Sequence, residues 1–518
     1  MSSTPISALL EHDFWGRPVW HAGSHKSYRP LAVLSLRLND ALAGGNLKPG
    51  PLHLGNAILH AIVTALLTHL AALLLLHDLK PIRSAECNFA SSRECYSIRR
   101  DELSASCRRK GVLFTGLLFA SHPVHTEAVC GLVGRADVGA ALFSLLALLS
   151  YRQHVQARDS IPSSLFRSAV PLGAAVLFGI AAMLFKENGL AALPLCTMYD
   201  ALVHCRGRPV MSFLQCIFKM TRLSSIPHLP FHTLNRIYAN HEGSPTKLSW
   251  KPKSSDIDRG FYQSLVAIII AVFSLLAIRC VALAGGLPTF SSSDNPASRS
   301  NSLITRTLTF LYLPVLNLNL LLCPTTLSFD WSMDAVPLVK SFADERNIIS
   351  FLMYISFMYL IVKLLCSVVM KDLSREWSSQ IIESTKQQNT NDSRNDISSS
   401  VKCLEASVSL FSICMAILPF LPATNLIAYV GFVIAERVLY VPSMGYCLLL
   451  GLGLSNILIA LDLNLKKWTR VLRILVTSGA MLMLIIFTTQ TVIRSGDWRD
   501  EERLYRSGIG VNPAKGNL

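Results

Sequence analysis

An all-α polytopic membrane protein is the fold class the sequence predicts, and three observations predict it. Of 518 residues, 51% are hydrophobic and only 16% charged, where an average globular domain carries about 25% charged residues. Apolar runs of membrane-crossing length recur along the chain, and Lys and Arg gather in a few loops between them. A mean hydropathy of +0.41 excludes a disordered, collagenous or small disulfide-bonded chain.

The spans follow in order. Residues 1–53 contain no apolar h-region, so no cleavable signal peptide is expected, and the first span serves as insertion signal unless the true start lies upstream. Residues 54–76 hold over twenty positions without a formal charge, enough at about 1.5 Å per residue to cross roughly 30 Å of hydrocarbon. Further spans read at 111–120 (short), 138–150, 170–185, 190–202, 261–283, 348–370, 404–421, 438–460 and 471–493. That makes about ten spans.

The net charge of +15 and pI near 9.3 would suggest nucleic acid in a soluble chain. Its location argues otherwise, because the cations concentrate in loops 78–110 and 205–260 and in the stretch from Asn464. All three fall on one side when ten spans are counted through, and the positive-inside rule makes that side cytosolic. Both termini then face the opposite compartment. Residues 305–323, interrupted by Pro314, Asn317 and Asn319, would break this parity as a crossing, and read as a re-entrant or luminal-surface helix. The Ser-, Asn- and Gln-rich loop 375–402 reads as flexible and cytosolic, which leaves the Asn391 sequon unglycosylated. Thirteen cysteines show neither a disulfide framework nor zinc spacing.

The chain divides into a luminal loop and surface helix (1–53), membrane spans (54–284), a luminal or re-entrant central domain (285–347), the remaining spans (348–493) and a tail (494–518). In the tail, Trp498, Leu504 and Tyr505 stand at roughly helical spacing before Asn512-Pro513, as at the opening of a tetratricopeptide repeat.

Ionisable residues beside spans point to a cavity or an aqueous interface. Four clusters fall on the luminal side: Ser121-His122-Pro123-Val124-His125-Thr126-Glu127 continuing to Arg135-Ala136-Asp137, Lys186-Glu187-Asn188-Gly189, Phe329-Asp330-Trp331-Ser332, and Glu436-Arg437. His122 and His125 with Glu127 lack a third assigned ligand and a metal geometry, so no metal is expected there. Lys186, Arg135 and Arg437 are cations at headgroup level, where a lipid-linked phosphate would sit. The plainer alternative pairs each with its sequence neighbour: Arg135 with Asp137, Lys186 with Glu187, Arg437 with Glu436. For Asp330-Trp331 it is a capping Asp beside an interfacial aromatic anchor.

The co-linear strings DFWG, GSHKSYRPL, HPVHTEAVCGLVGRAD, KENG, LSFDWSM, ERVLYVPSMG and WRDEERLY resemble the transmembrane and tetratricopeptide-repeat O-mannosyltransferases, the TMTC family. The likeness covers nearly the whole chain, with residues 295–347 similar to the family's central domain. It implies a GT-C-type glycosyltransferase fold in the endoplasmic reticulum membrane, transferring mannose from dolichyl phosphate mannose to Ser or Thr of proteins, cadherin domains in particular. The lipid-linked donor is then the only co-substrate besides the acceptor protein, with no cofactor and a divalent cation left open. Lys186 and Arg437, with Arg135 as third candidate, would meet the donor phosphate. His122, His125, Glu127, Asp137, Glu187, Glu436 and Asp330 would line the luminal cavity.

The resemblance also implies an earlier span and a luminal Asp-Asp pair as catalytic base. Neither string occurs in the sequence, and Asp13 in DFWG matches a later, non-catalytic stretch, so the catalytic residue stays unassigned. A chain truncated at both ends is the expectation, with an inactive membrane adaptor as the alternative. A transporter, the remaining alternative, would need two related halves, and none is visible.

Overall fold

The computed structural model describes residues 11–46, 48–76, 92–160, 165–210, 256–283, 290–291, 293–384, 392–426, 429–463 and 467–512, with Pro5 and Leu9. Lys80 and Arg83, the cations from Lys219 to Lys253, Lys466, the Asn391 sequon and Pro513 lie outside them. Among the described residues, beside the one-turn helix Thr126–Cys130, thirteen longer helices carry the architecture: α1 Pro30–Leu42, α2 Pro49–Leu75, α3 Ser92–Ser121, α4 Arg135–Ser160, α5 Leu165–Phe185, α6 Ala192–Met198, α7 Asp256–Ala282, α8 Leu303–Leu322, α9 Arg346–Ser384, α10 Asp392–Ile417, α11 Pro442–Asp462, α12 Lys467–Asp497 and α13 Glu501–Val511. Among the described residues there is no β-strand.

Proline opens α1, α2 and α11, where its fixed φ suits the first helical turn and its missing N–H costs nothing. The bundle is a multi-pass membrane structure. By length and apolar character, nine helices among the described residues qualify as spans, including Leu303–Leu322. Two stretches read as spans from sequence do not qualify: 111–120, the only apolar part of α3, and 190–202, which the fold divides among a 3-10 turn, α6 and a π-turn.

Contacts at the helix ends refine this picture. One end of the bundle gathers Leu75, Arg108, Asp200, Glu405 and Asp462: Arg108 donates to Leu75 O at 2.9 Å and to Glu405 at 3.3 Å, and Cys107 reaches Asp462. Here also Arg158 pairs with Asp200 at 2.8 Å. The 187–204 stretch therefore runs from Lys186 at the other end to Asp200 here, and traverses the bundle although broken into turns. Helix α8 does the reverse. Arg306 stacks over Tyr429, while Leu321 O near its other terminus receives His122 at 3.1 Å. Both termini touch the end that carries His122 and Tyr429, so α8 lies along that end, the place the polar Asn317, Asn319 and Pro314 suggested.

Two stretches read as loops are helical instead. Helix α3 begins at Ser92 within the 78–110 loop, and α9 and α10 carry the described residues of 375–402, up to Ser384 and from Asp392. A helix already anchored in a bundle extends residue by residue without a new nucleation cost, and this overrides polar composition.

The core is continuous, built on fully buried Leu67, Leu70, Phe119, Leu145, Tyr151 and Phe411. Helices α3 and α11 meet most closely where Gly111 and Gly451 face each other: a Cβ on Gly451 would stand 2.6 Å from Gly111 O and 3.2 Å from Thr115 Cβ. Small residues at such crossings let backbones approach within lipid. Gly451→Leu should accordingly lower the thermal unfolding midpoint of the detergent-purified protein, with a loss of roughly 1–3 kcal/mol. An unchanged midpoint would remove the close crossing.

Candidate functional site

The end opposite Asp200 holds a cavity of about 430 Å³. Four distant parts of the chain build it: the 15–29 segment, the turn after α5, the tip of α7 with Phe290, and the 419–438 stretch. Its lining includes the cations Lys26, Arg29, Lys186, Arg279 and Arg437 and the apolar residues Leu283, Phe290, Pro419, Pro422, Tyr429 and Phe432.

Each cation is held in place. Lys186 ends α5, is 7% exposed, and pairs with Asp137 from the first turn of α4. Burial pushes the Lys186 ammonium below its ordinary range, Asp137 opposes that, and Arg29 and Arg437 add to it. Arg437 sits in a 3-10 turn, Glu436–Leu439. Its backbone N–H donates to Glu127 Oε2 at 2.9 Å, and its guanidinium meets Glu127 Oε1 at 3.3 Å. Burial raises the Glu127 carboxyl while Arg437 draws it down, burial being the stronger. Glu187 is clamped from both sides: Arg29 donates at 2.9 and 3.1 Å and Arg279 at 3.1 Å. Burial opposes its ionisation, but the two guanidiniums hold its pKa down to about 2. Lys26 donates to Val19 O at 2.5 Å, stiffening the loop whose start Asp13 ties by accepting from Trp15, Arg17 and Ser24.

The pairs between sequence neighbours do not form. Lys186 takes Asp137 rather than Glu187, and Arg437 takes Glu127 rather than Glu436, because a residue at a helix end and its neighbour point to different faces. Arg135 lies apart from the cavity lining. It is 2% exposed and donates to Asn56 Oδ1, Asn39 Oδ1 (2.8 Å) and Leu52 O (2.7 Å), stitching α1, α2 and α4.

Of the acidic and histidine residues grouped from sequence, Glu187 lines the cavity, and Asp137 and Glu127 stand behind its cations. His122 and His125 are buried elsewhere. His122 Nδ1 accepts from Val124 N at 3.3 Å, which leaves Nε2 to donate to Leu321 O, and burial pushes its pKa to about 4. His125 Nε2 meets Ser443 Oγ at 2.7 Å. Burial, reinforced by His60 and His122, keeps its imidazole neutral. Asp330 accepts from Ser332 N and Oγ, both at 2.9 Å, a local turn two residues on, and the short 3-10 turn that follows has Ser332 as its N-cap with no side-chain cap bond. Among the described residues no group of three or more His, Cys, Asp or Glu is placed to hold a metal.

Sequence reasoning missed Arg29, Arg279 and Lys26 as cavity residues. Arg279 carried a signal, being a charge close to the end of the apolar 261–283 run, but its meeting with Arg29 across 250 positions had none.

Glu436 is fully buried. Burial and the nearby Glu127 push its pKa up to about 8, with Arg494 opposing. A carboxyl raised in the folded state binds its proton more tightly there than in the unfolded chain. Its contribution is complete below the ordinary carboxylate range and fades as pH rises through about 8. The thermal midpoint of the purified protein should therefore fall between roughly pH 6 and pH 9, and Glu436→Gln should flatten that slope. An identical slope in the variant would show that Glu436 ionises freely.

Comparison with known proteins agrees with the site's distribution over the whole chain. A family model described as Protein O-mannosyl-transferase TMTC, DUF1736, matches residues 284–358. The chain is 38% identical to Homo sapiens Protein O-mannosyl-transferase TMTC2 across all of its own length and 55% of that protein's. It is 37% identical to the Xenopus laevis protein of the same name, over 100% and 55%, and 35% identical to Drosophila melanogaster Protein O-mannosyl-transferase Tmtc1, over 99% and 54%. The chain thus spans about half the length of the curated relatives it matches. No solved structure matches it. End to end, with the central-domain match, the chain is similar to proteins named as TMTC protein O-mannosyl-transferases.

Proposed function

We propose that this chain forms the donor-binding membrane body of a protein O-mannosyltransferase of the endoplasmic reticulum, taking mannose from dolichyl phosphate mannose to Ser or Thr of proteins such as cadherins. The observation that carries the reading is the convergence of Lys186 and Arg437 on one cavity that apolar residues also line. A phosphate on an isoprenoid needs that division: charge for the head, hydrocarbon for the chain.

The charge balance supports the same donor. Five cations face the cavity, and Glu187, Asp294, Asp137 and Glu127 answer four of them. With all ionised, one positive charge remains, which suits a singly charged phosphodiester better than a nucleotide diphosphate. During transfer the acceptor oxygen bonds to the sugar's anomeric carbon and gives up its proton, the bond from that carbon to the phosphate oxygen breaks, and the departing dolichyl phosphate gains a negative charge. Preset cations stabilise charge that develops in this way. Glu187, locked as an anion between two arginines, serves to hold Arg29 and Arg279 and is too weak a base for the hydroxyl. Arg108 and Arg473, described cations of the cation-rich stretches, pair at the far end of the bundle, and placing that end in the cytosol turns the cavity toward the lumen.

Microsomes carrying the full-length chain provide the test, with labelled dolichyl phosphate mannose and a cadherin-type acceptor. Arg437→Gln should raise the donor KM roughly 10- to 100-fold, the loss of one charge-assisted contact, and leave the acceptor KM near its starting value. Arg135→Ala should instead reduce the amount of folded protein without changing the donor KM of what remains. A donor KM untouched by Arg437→Gln would refute the donor-site reading.

A further inference from the structure

The 3-10 turn that brings Arg437 to the cavity carries, one residue earlier, a side chain with a different destination. Glu436 faces away, into the 328–332 loop, where its Oε1 accepts from Ser328 N–H at 2.6 Å and from the Trp331 indole N–H at 3.2 Å. That loop lies within the family-matched 284–358 segment and grips the tail. Asn512 Nδ2 donates to Ser328 Oγ at 2.9 Å and to Asp330 O at 2.5 Å. The Phe329 ring meets Tyr505 edge-on at 5.1 Å and closes over Gly508. Arg494, near the end of α12, completes the junction by donating to Ser507 Oγ at 3.0 Å.

We infer that Glu436 is a positioning residue for donor binding: it fastens the loop that clasps the tail to the turn that holds Arg437, so a docked tail fixes the Arg437 guanidinium in the cavity. The inference rests on reading the cavity as the donor site. Its physical basis is leverage. The turn is pinned at two adjacent residues, by Ser328 and Trp331 on the Glu436 side chain and by Glu127 on the Arg437 N–H. Releasing one pin lets the backbone rotate, and a guanidinium at the tip of a long side chain amplifies a small rotation into a displacement that breaks its contact. The buried carboxyl works as an acceptor through Oε1, so an uncharged amide can replace it.

Donor and acceptor KM values of the full-length protein in microsomes distinguish this role from a merely structural one. Glu436→Ala should raise the donor KM about three- to tenfold, less than Arg437→Gln, with kcat at saturating donor retained. Glu436→Gln, which keeps the Oε1 acceptor, should stay within about twofold of the parent. Asn512→Ala and Trp331→Phe, which loosen the clasp without removing Glu436, should shift the donor KM in the same direction and cover the case in which Glu436→Ala does not fold. Unchanged donor KM values in Trp331→Phe and Asn512→Ala, while Arg437→Gln raises it, would overturn the inference and leave the donor site standing. If Arg437→Gln itself had no effect, the donor-site reading would fall first.

Discussion

Two ion pairs, Lys186 with Asp137, both buried, and the partly exposed Arg437 with the buried Glu127, are the constraint on which the cavity depends. A charge removed from water is costly unless it is paired, and breaking a fully buried pair such as Lys186–Asp137 costs about 3–5 kcal/mol. The carboxylates therefore fix where the cations stand before any ligand arrives. Asp137 comes from the start of α4 and Glu127 from the turn ahead of it, so one short stretch of chain sets both cations. The same stretch carries Arg135, whose bonds to α1 and α2 hold it in register with the membrane bundle.

The apolar part of the lining is held by polar means as well. Asn295, fully buried, donates to Asn425 Oδ1 at 2.9 Å and to Val430 O at 3.0 Å, tying the central domain to the strip that presents Tyr429 and Phe432. Gly431 is needed there, since a side chain would strike the Phe290 ring. The central domain thus braces two cavity-building elements from behind, the Tyr429–Phe432 strip through Asn295 and the turn that carries Arg437 through Ser328 and Trp331. A family-specific segment confined to one surface loop would do neither.

Most of the membrane architecture was legible in the sequence because length and apolar character are local properties. The α8 helix shows the limit: composition makes it long and apolar enough to cross, and only Asn317, Asn319 and Pro314, with the parity of charge, hinted that it lies along one end. The broken 187–204 stretch errs in the other direction, an interrupted element that still traverses the bundle. At the site, Lys186 and Arg437 were legible as cations beside spans, whereas their partners were not. Ion pairs form between residues brought together by helix packing, and adjacency in sequence says little about which carboxylate a buried cation meets. Arg135 illustrates this, since a third cation of the same appearance is consumed by asparagine side chains and a carbonyl.

Glu187 bridges a segment that precedes the first span and the tip of α7, through Arg29 and Arg279. Its bonds make that flank of the cavity a seam, shut by strong ionic stitches that a hydrocarbon tail has no means to undo. The flank with Pro419, Pro422 and Tyr429 has no comparable ionic stitch among its described cavity-lining side chains. If the cavity holds the proposed lipid-linked donor, its isoprenoid would accordingly slide in sideways from the bilayer past these residues, head first, and its spent carrier would leave by the same doorway.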